Sequence, residues 1–109
     1  MIDRKTVVQT GLATSATRGR TAVRTWIVQP PAGAPVALGA RAITIGAGRE
    51  CDLVLDDAQV SRRHAELAAT PEGVRVRDLG STNGTWWQGS KVGEVIVPGG
   101  ASLRIGVAP

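Results

Sequence analysis

Residues 74–85 read Val74-Arg75-Val76-Arg77-Asp78-Leu79-Gly80-Ser81-Thr82-Asn83-Gly84-Thr85. The first four alternate apolar and basic side chains, the two-residue period of a strand with one buried face. The remainder is a run of small hydroxyl, amide and glycine residues, the chemistry of a turn. A strand that runs straight into such a turn is a β-protein signature, and the rest of the chain repeats it.

Val23–Val28 is a strand candidate closed by Pro30-Pro31, and Ala42-Ile43-Thr44-Ile45 and Asp52-Leu53-Val54-Leu55 follow. Leu103-Arg104-Ile105-Gly106-Val107 alternates again near the end. Strand candidates recur about every 8–12 residues with turn signals between them, the spacing of a sandwich or barrel. Fourteen glycines and six prolines in 109 residues fit that class. One segment is ambiguous. Ser61-Arg62-Arg63-His64-Ala65-Glu66-Leu67-Ala68-Ala69 opens on a good N-cap and continues with helix formers, although Ala65, Leu67 and Ala69 also fit a strand face.

The size allows one domain with a modest core. Hydrophobic content of 42% and charged content of 20% are ordinary for a globular chain. No apolar run approaches the ~18–20 residues of a membrane span, and the start lacks the apolar stretch of a secretory signal. The single cysteine, Cys51, excludes an internal disulfide framework or a cysteine-based metal cluster. A cytoplasmic setting without membrane contact is expected. The net charge of +4 is localised: residues 1–25 hold five basic groups against Asp3, leaving eight basic and eight acidic groups in the remainder. A neutral body argues against direct nucleic-acid binding, which needs a basic stripe on the folded part.

The sequence offers no catalytic centre. His64, the lone histidine, has no acidic neighbour in sequence and no cysteine at a metal-ligand spacing. Ser61 lies three residues from His64 without the strand-turn-helix elbow of a hydrolase. Gly46-Ala47-Gly48 lacks the Gly-Lys-Ser/Thr of a phosphate loop. No enzyme, metal or cofactor is expected. What remains is two polar clusters, 60–65 and 78–85. The connections 56–63 and 78–83 are separated by one intervening turn near Pro71, which places them at the same end of an up-and-down sheet. Hydroxyls, an amide and arginines converging there have the means to hold a phosphate through charge-assisted hydrogen bonds. They also read as ordinary turns.

Taken together, Ile45-Gly46, Cys51 to Asp57, Val60-Ser61-Arg62-Arg63-His64-Ala65 and Val76 to Thr85 resemble, in order and spacing, a forkhead-associated (FHA) domain covering residues 23–109. The resemblance implies an all-β sandwich of about eleven strands, with segment 61–69 a loop and strand rather than a helix. It also implies phosphothreonine-peptide binding by loops at one end. Ser61 and Thr82 match the phosphate-binding hydroxyls, Asn83 the amide that holds the peptide backbone, and Arg62 a ligand-facing position. His64, Gly46 and Gly84 match residues that support those loops.

Several positions depart from the pattern. Ala47 stands where the family usually has a phosphate-gripping arginine, leaving Arg49 as a substitute. Gln88 stands where asparagine is common. Trp86-Trp87 replaces a Phe-aliphatic pair, with Trp86 expected in the core. A further strand is implied after Gly106, so the last strand is expected to be cut short at Pro109.

Residues 1–21 read as a flexible, basic, Thr-rich arm, with the domain occupying 22–109. Arg4-Lys5 precedes Thr6, with Thr10 four residues on, so both threonines are candidate phosphorylation sites. Arm plus domain resembles the N-terminal module of bacterial sigma-54-dependent transcriptional activators, which implies a regulatory role ahead of an ATPase. The expected partners are a phosphothreonine-containing protein or the domain's own phosphorylated arm, and an upstream Ser/Thr kinase. Two alternatives stand beside that reading: a degenerate scaffold that binds partners without phosphate, motivated by Ala47, and a nucleic-acid-binding arm on a neutral domain.

Overall fold

The computed structural model describes residues 6–16 and 22–107. Two sheets face each other. The six-stranded sheet contains β1 (Val7–Ala16), β2 (Ala22–Gln29), β3 (Val36–Ala37), β8 (Thr85–Trp87), β9 (Ser90–Lys91) and β11 (Ser102–Ile105). Its spatial order is β3-β2-β1-β11-β8-β9. The five-stranded sheet contains β4 (Ile43–Gly46), β5 (Leu53–Val54), β6 (Ala65–Ala69), β7 (Val74–Asp78) and β10 (Glu94–Val97), in the order β10-β7-β6-β4-β5. The β4–β5 pair is parallel and the remaining pairs are antiparallel.

Alternation puts one face of each strand inside. Val74 and Val76 are buried while Arg75 and Arg77 reach across to Glu66 on the outer face. Exposed pairs of that kind add little stability. Val8, Val28, Leu103 and Ile105 from the six-stranded sheet meet Ile43, Ile45, Leu53, Leu67, Val74, Val76 and Val97 from the other. The ambiguous segment is a strand. Ala65 and Leu67 are fully buried, and β6 is paired on both sides by β4 and β7. Burial between two partners overrides a weak helical preference.

Three expectations are corrected. Within the supposed arm, residues 7–16 form β1, which pairs with β11 through Val7↔Arg104 and with β2 through Gln9↔Gln29 onward. Residues 1–5 and 17–21 lie outside the described residues. The reason is that Val8 alternates with exposed Gln9 and drops fully into the core, a single apolar anchor too short to show as a periodicity. Second, the further strand implied after Gly106 does not form among the described residues: β11 ends at Ile105 and is paired on both flanks, by β1 and β8. Third, Trp87 packs against the core, while Trp86 lines a groove on the outer face. Thr85 is fully buried, so strand alternation turns Trp86 outward and Trp87 inward.

Candidate functional site

The connections 47–52, 55–64 and 79–84 meet at one end of the sandwich. The first is pinned to the second by backbone bonds, with Ala47 N donating to Ser61 O at 2.9 Å and Gly48 N to Arg62 O at 3.0 Å. Gly46 is required by this approach: a Cβ there would sit 2.8 Å from Ser61 O and closer still to Arg62 O. Buried Cys51 closes the same contact by donating Sγ–H to Arg62 O at 2.9 Å. Burial, then the Glu50 charge, pushes that thiol's pKa up, so it stays protonated and structural.

His64 ties the second connection to the third. Its ring is fully buried. Nδ1 accepts from Ser61 N at 3.1 Å, which leaves Nε2 to carry the proton and donate to Gly84 O at 2.8 Å. Burial holds its pKa below the ordinary value, against the opposing pull of the Gly84 bond and the Asp78 carboxylate 3.9 Å away. A neutral, doubly satisfied imidazole is a brace. Gly84, whose carbonyl receives the Nε2 bond, takes the left-handed φ of 89° that favours glycine.

Asp78 organises the third connection, and sequence reasoning missed it. Its carboxylate accepts from the amides of Gly80 and Ser81, each at 2.9 Å, and from the hydroxyls of Ser81 and Thr85 at 2.5 and 2.8 Å. Burial would raise its pKa, but these hydrogen bonds outweigh it and hold the carboxyl below the usual range. An Asp two and three residues before Gly80 and Ser81 is an Asx-turn signal, and it was available in the sequence.

On this frame the predicted residues converge. Ser61 Oγ accepts from Thr82 N at 3.1 Å, joining the two hydroxyl-bearing loops directly. Asn83 Nδ2 donates to Gln59 O at 2.9 Å and Gln59 Oε1 at 3.1 Å, which orients the amide at the same end. Arg62 is exposed and leans to Glu50 at 3.3 Å. Arg49 stands exposed on the turn that Gly48 fixes to Arg62. Arg63, which the motif reading left unassigned, is exposed and near enough for its charge to lower the pKa of Glu50, after the effects of Glu50's own amide and of Arg62. Arg49, Arg62 and Arg63 stand beside Glu50, while Asp52, Asp56 and Asp57 lie in the same connections, so the guanidiniums form a local cationic cluster on an end of mixed charge. Ala47 lies half-buried with its methyl against the core, so the usual arginine position contributes no cation. Thr6 and Thr10 lie elsewhere, buried in and beside β1. Thr10 Oγ1 donates to Pro98 O at 2.6 Å and accepts from Ala101 N at 3.1 Å, and both candidate phosphorylation sites are buried in the folded chain.

Comparison with known proteins agrees with this architecture. The family model for the FHA domain matches residues 43–106. FhaB of Mycolicibacterium smegmatis is 43% identical over 76 residues, 69% of this chain and 49% of that protein. FhaB of Mycobacterium tuberculosis is 38% identical over 99 residues, 88% of this chain and 64% of that protein. The chain thus spans about half to two thirds of the length of these curated relatives. Among solved structures, the FhaA FHA domain complexed with the intracellular domain of Rv3910 superposes with a TM-score of 0.65 at 27% identity, covering 92% of this chain and 91% of that one. An FHA structure solved in a study of phosphothreonine-dependent interactions superposes with a TM-score of 0.56 at 25% identity, covering 95% and 99%. With the two-sheet frame, the braced loop end and a family match over most of the sandwich, the chain belongs to the FHA domain family.

Proposed function

We propose that this domain is a phosphothreonine-peptide-binding module in Ser/Thr-kinase signalling. The Ser61 and Thr82 hydroxyls donate to the phosphate, Arg62 and Arg49 supply the positive charge that Ala47 does not, and Asn83 holds the peptide backbone. One observation carries the reading: the Ser61 Oγ–Thr82 N bond, set between the His64 brace and the Asp78 turn, joins the two hydroxyl-bearing loops beside Arg49, Arg62 and Arg63, which supports a phosphate site there. The relatives support it, since one solved neighbour comes from a study of phosphothreonine-dependent FHA interactions. The finer role as the sensory module of a transcriptional regulator rests on the motif resemblance alone. It is tested by whether phosphopeptide binding alters transcription driven by the full-length protein.

A phosphothreonine brings nearly two negative charges and three acceptor oxygens that threonine lacks. Calorimetry with one peptide in phosphorylated and unmodified forms should therefore give binding of the first alone. Ser61→Ala removes a donor to a charged group and should cost about 1.5–3 kcal/mol. Arg49→Ala should weaken binding by about tenfold or more, the loss of one charge-assisted contact. The half-buried Ala47 methyl favours a second reading, a scaffold that contacts partners without phosphate. Equal affinity for both peptide forms, unaffected by Ser61→Ala, would establish that reading instead.

A further inference from the structure

The outer face of the six-stranded sheet carries a groove of about 460 Å³ that the loop site does not use. Two rows of side chains cross it. Strand register sets Arg104 opposite Trp86, and Trp86 opposite Lys91. Beside them, Gln9 lies between Gln29 and Ser102. On the grooved face Lys91 and Arg104 flank Trp86, and the six strands of this sheet contain no aspartate or glutamate. The opposite sheet mixes Glu66, Asp78 and Glu94 with Arg75 and Arg77. The grooved face therefore presents two cations, Arg104 and Lys91, with no strand carboxylate beside them, although the body is neutral.

The groove begins where the loop site ends. Trp86 Nε1 donates to Asn83 O at 3.1 Å, and the Lys91 stem lies against Gly84, its Cε 3.0 Å from where a Cβ would be. A polypeptide whose backbone is held by Asn83 needs no long excursion to reach Trp86.

We propose that this groove binds an extended acidic segment of the same protein whose phosphothreonine occupies the loop end, an inference that rests on the phosphothreonine reading above. Carboxylates pair with Arg104 and Lys91, an apolar stem lies on the Trp86 ring, and the Gln9 amide satisfies peptide groups in the sheet's outer row. Binding at the first site raises the local concentration of the segment at the second, so a weak groove contact becomes a measurable gain in affinity. This also offsets the missing arginine at position 47.

The test compares three synthetic peptides: a phosphothreonine peptide with short neutral flanks, the same peptide extended by glutamates, and the same extended by glutamines. Extensions are placed on either side of the phosphothreonine, and binding is measured at low salt, where the Debye length reaches the groove. The glutamate extension should tighten binding by about tenfold. That gain should vanish at high salt and in Arg104→Glu or Ser102→Glu, with affinity for the short peptide unchanged. Ser102 is exposed, so its variant keeps the fold if the half-buried Arg104 does not tolerate change. Equal affinity for the glutamate and glutamine extensions overturns the proposal.

If no phosphopeptide binds at all, the loop reading fails separately, and the groove is read with an unphosphorylated glutamate-rich peptide. A shift of the Trp86 indole resonance that Arg104→Glu removes supports the groove, and no shift overturns it. A tryptophan between two cations also suits a single-stranded nucleic acid. Tighter binding of an oligothymidylate than of the glutamate peptide at matched salt overturns the acidic-segment assignment.

Discussion

At the scale of single residues, the site depends on buried hydrogen bonds more than on the groups that would touch a ligand. His64→Phe keeps the ring volume but strands the Ser61 amide and the Gly84 carbonyl, which the imidazole satisfies. Leaving two polar groups unpaired costs about 1–3 kcal/mol each, so the variant should lose about 2–6 kcal/mol of stability by urea unfolding and should lose phosphopeptide binding with it. A loss below about 1 kcal/mol would mean that His64 is not the brace. The same residue sets a pH dependence. Burial lowers its folded pKa, so in the unfolded chain it takes up a proton at a higher pH than in the folded one. Stability from this group is complete above about pH 6.5 and falls as pH drops from there toward the folded pKa. Asp78, held below its usual range, adds a second loss at pH below about 3.9. Thermal melts should show both steps in the native chain and only the acidic one in His64→Gln, which carries no titratable ring.

Secondary-structure elements show what could be read in advance and what could not. Val74–Asp78 was legible because alternation and burial agree over the whole strand, and the polar loops were legible because Ser-Thr-Asn-Gly has little other use. Segment 65–69 was not, since alanine and leucine serve either structure and the deciding fact, pairing on both flanks, is non-local. The Trp86-Trp87 order was misjudged for a related reason: adjacent large aromatics carry no phase, which comes instead from buried Thr85. Asp78 and Gln59 were missed because their bonds form only when the turns are built. The β8–β9 hairpin makes one departure quantitative. Gln88 and Gly89 have φ values of 51° and 79°, a left-handed pair in a two-residue turn. Such turns favour Asn-Gly, and a longer side chain is strained there by roughly 1 kcal/mol. Gln88→Asn should therefore stabilise the domain by about 0.5–1 kcal/mol without changing phosphopeptide affinity, measured by paired urea titrations and calorimetry.

The whole molecule turns on where the domain begins. Charge and threonine content set residues 1–21 apart in the sequence, yet β1 lies inside the six-stranded sheet between β2 and β11. Removing it would expose Leu103 and Ile105 along the β11 edge and delete the fully buried Val8, worth about 1.5–3 kcal/mol by itself. It would also break the bonds of Thr10 to Pro98, Gly100 and Ala101 and the Ile105 N to Thr6 O bond, at about 0.5–1.5 kcal/mol each. That total is comparable with the 5–15 kcal/mol that holds a domain together. A chain beginning at Ala22 should therefore show no cooperative unfolding transition, whereas residues 1–109 should unfold in one step. The same burial decides the kinase question. Thr6 and Thr10 should resist a basophilic kinase in the folded chain and accept phosphate in a peptide of residues 1–16, with mass spectrometry locating the sites. Rapid modification of Thr10 in the folded chain, with the unfolding transition unchanged, would mean that β1 detaches at little cost. The arm would then regain its place as a ligand for the domain's own loop end.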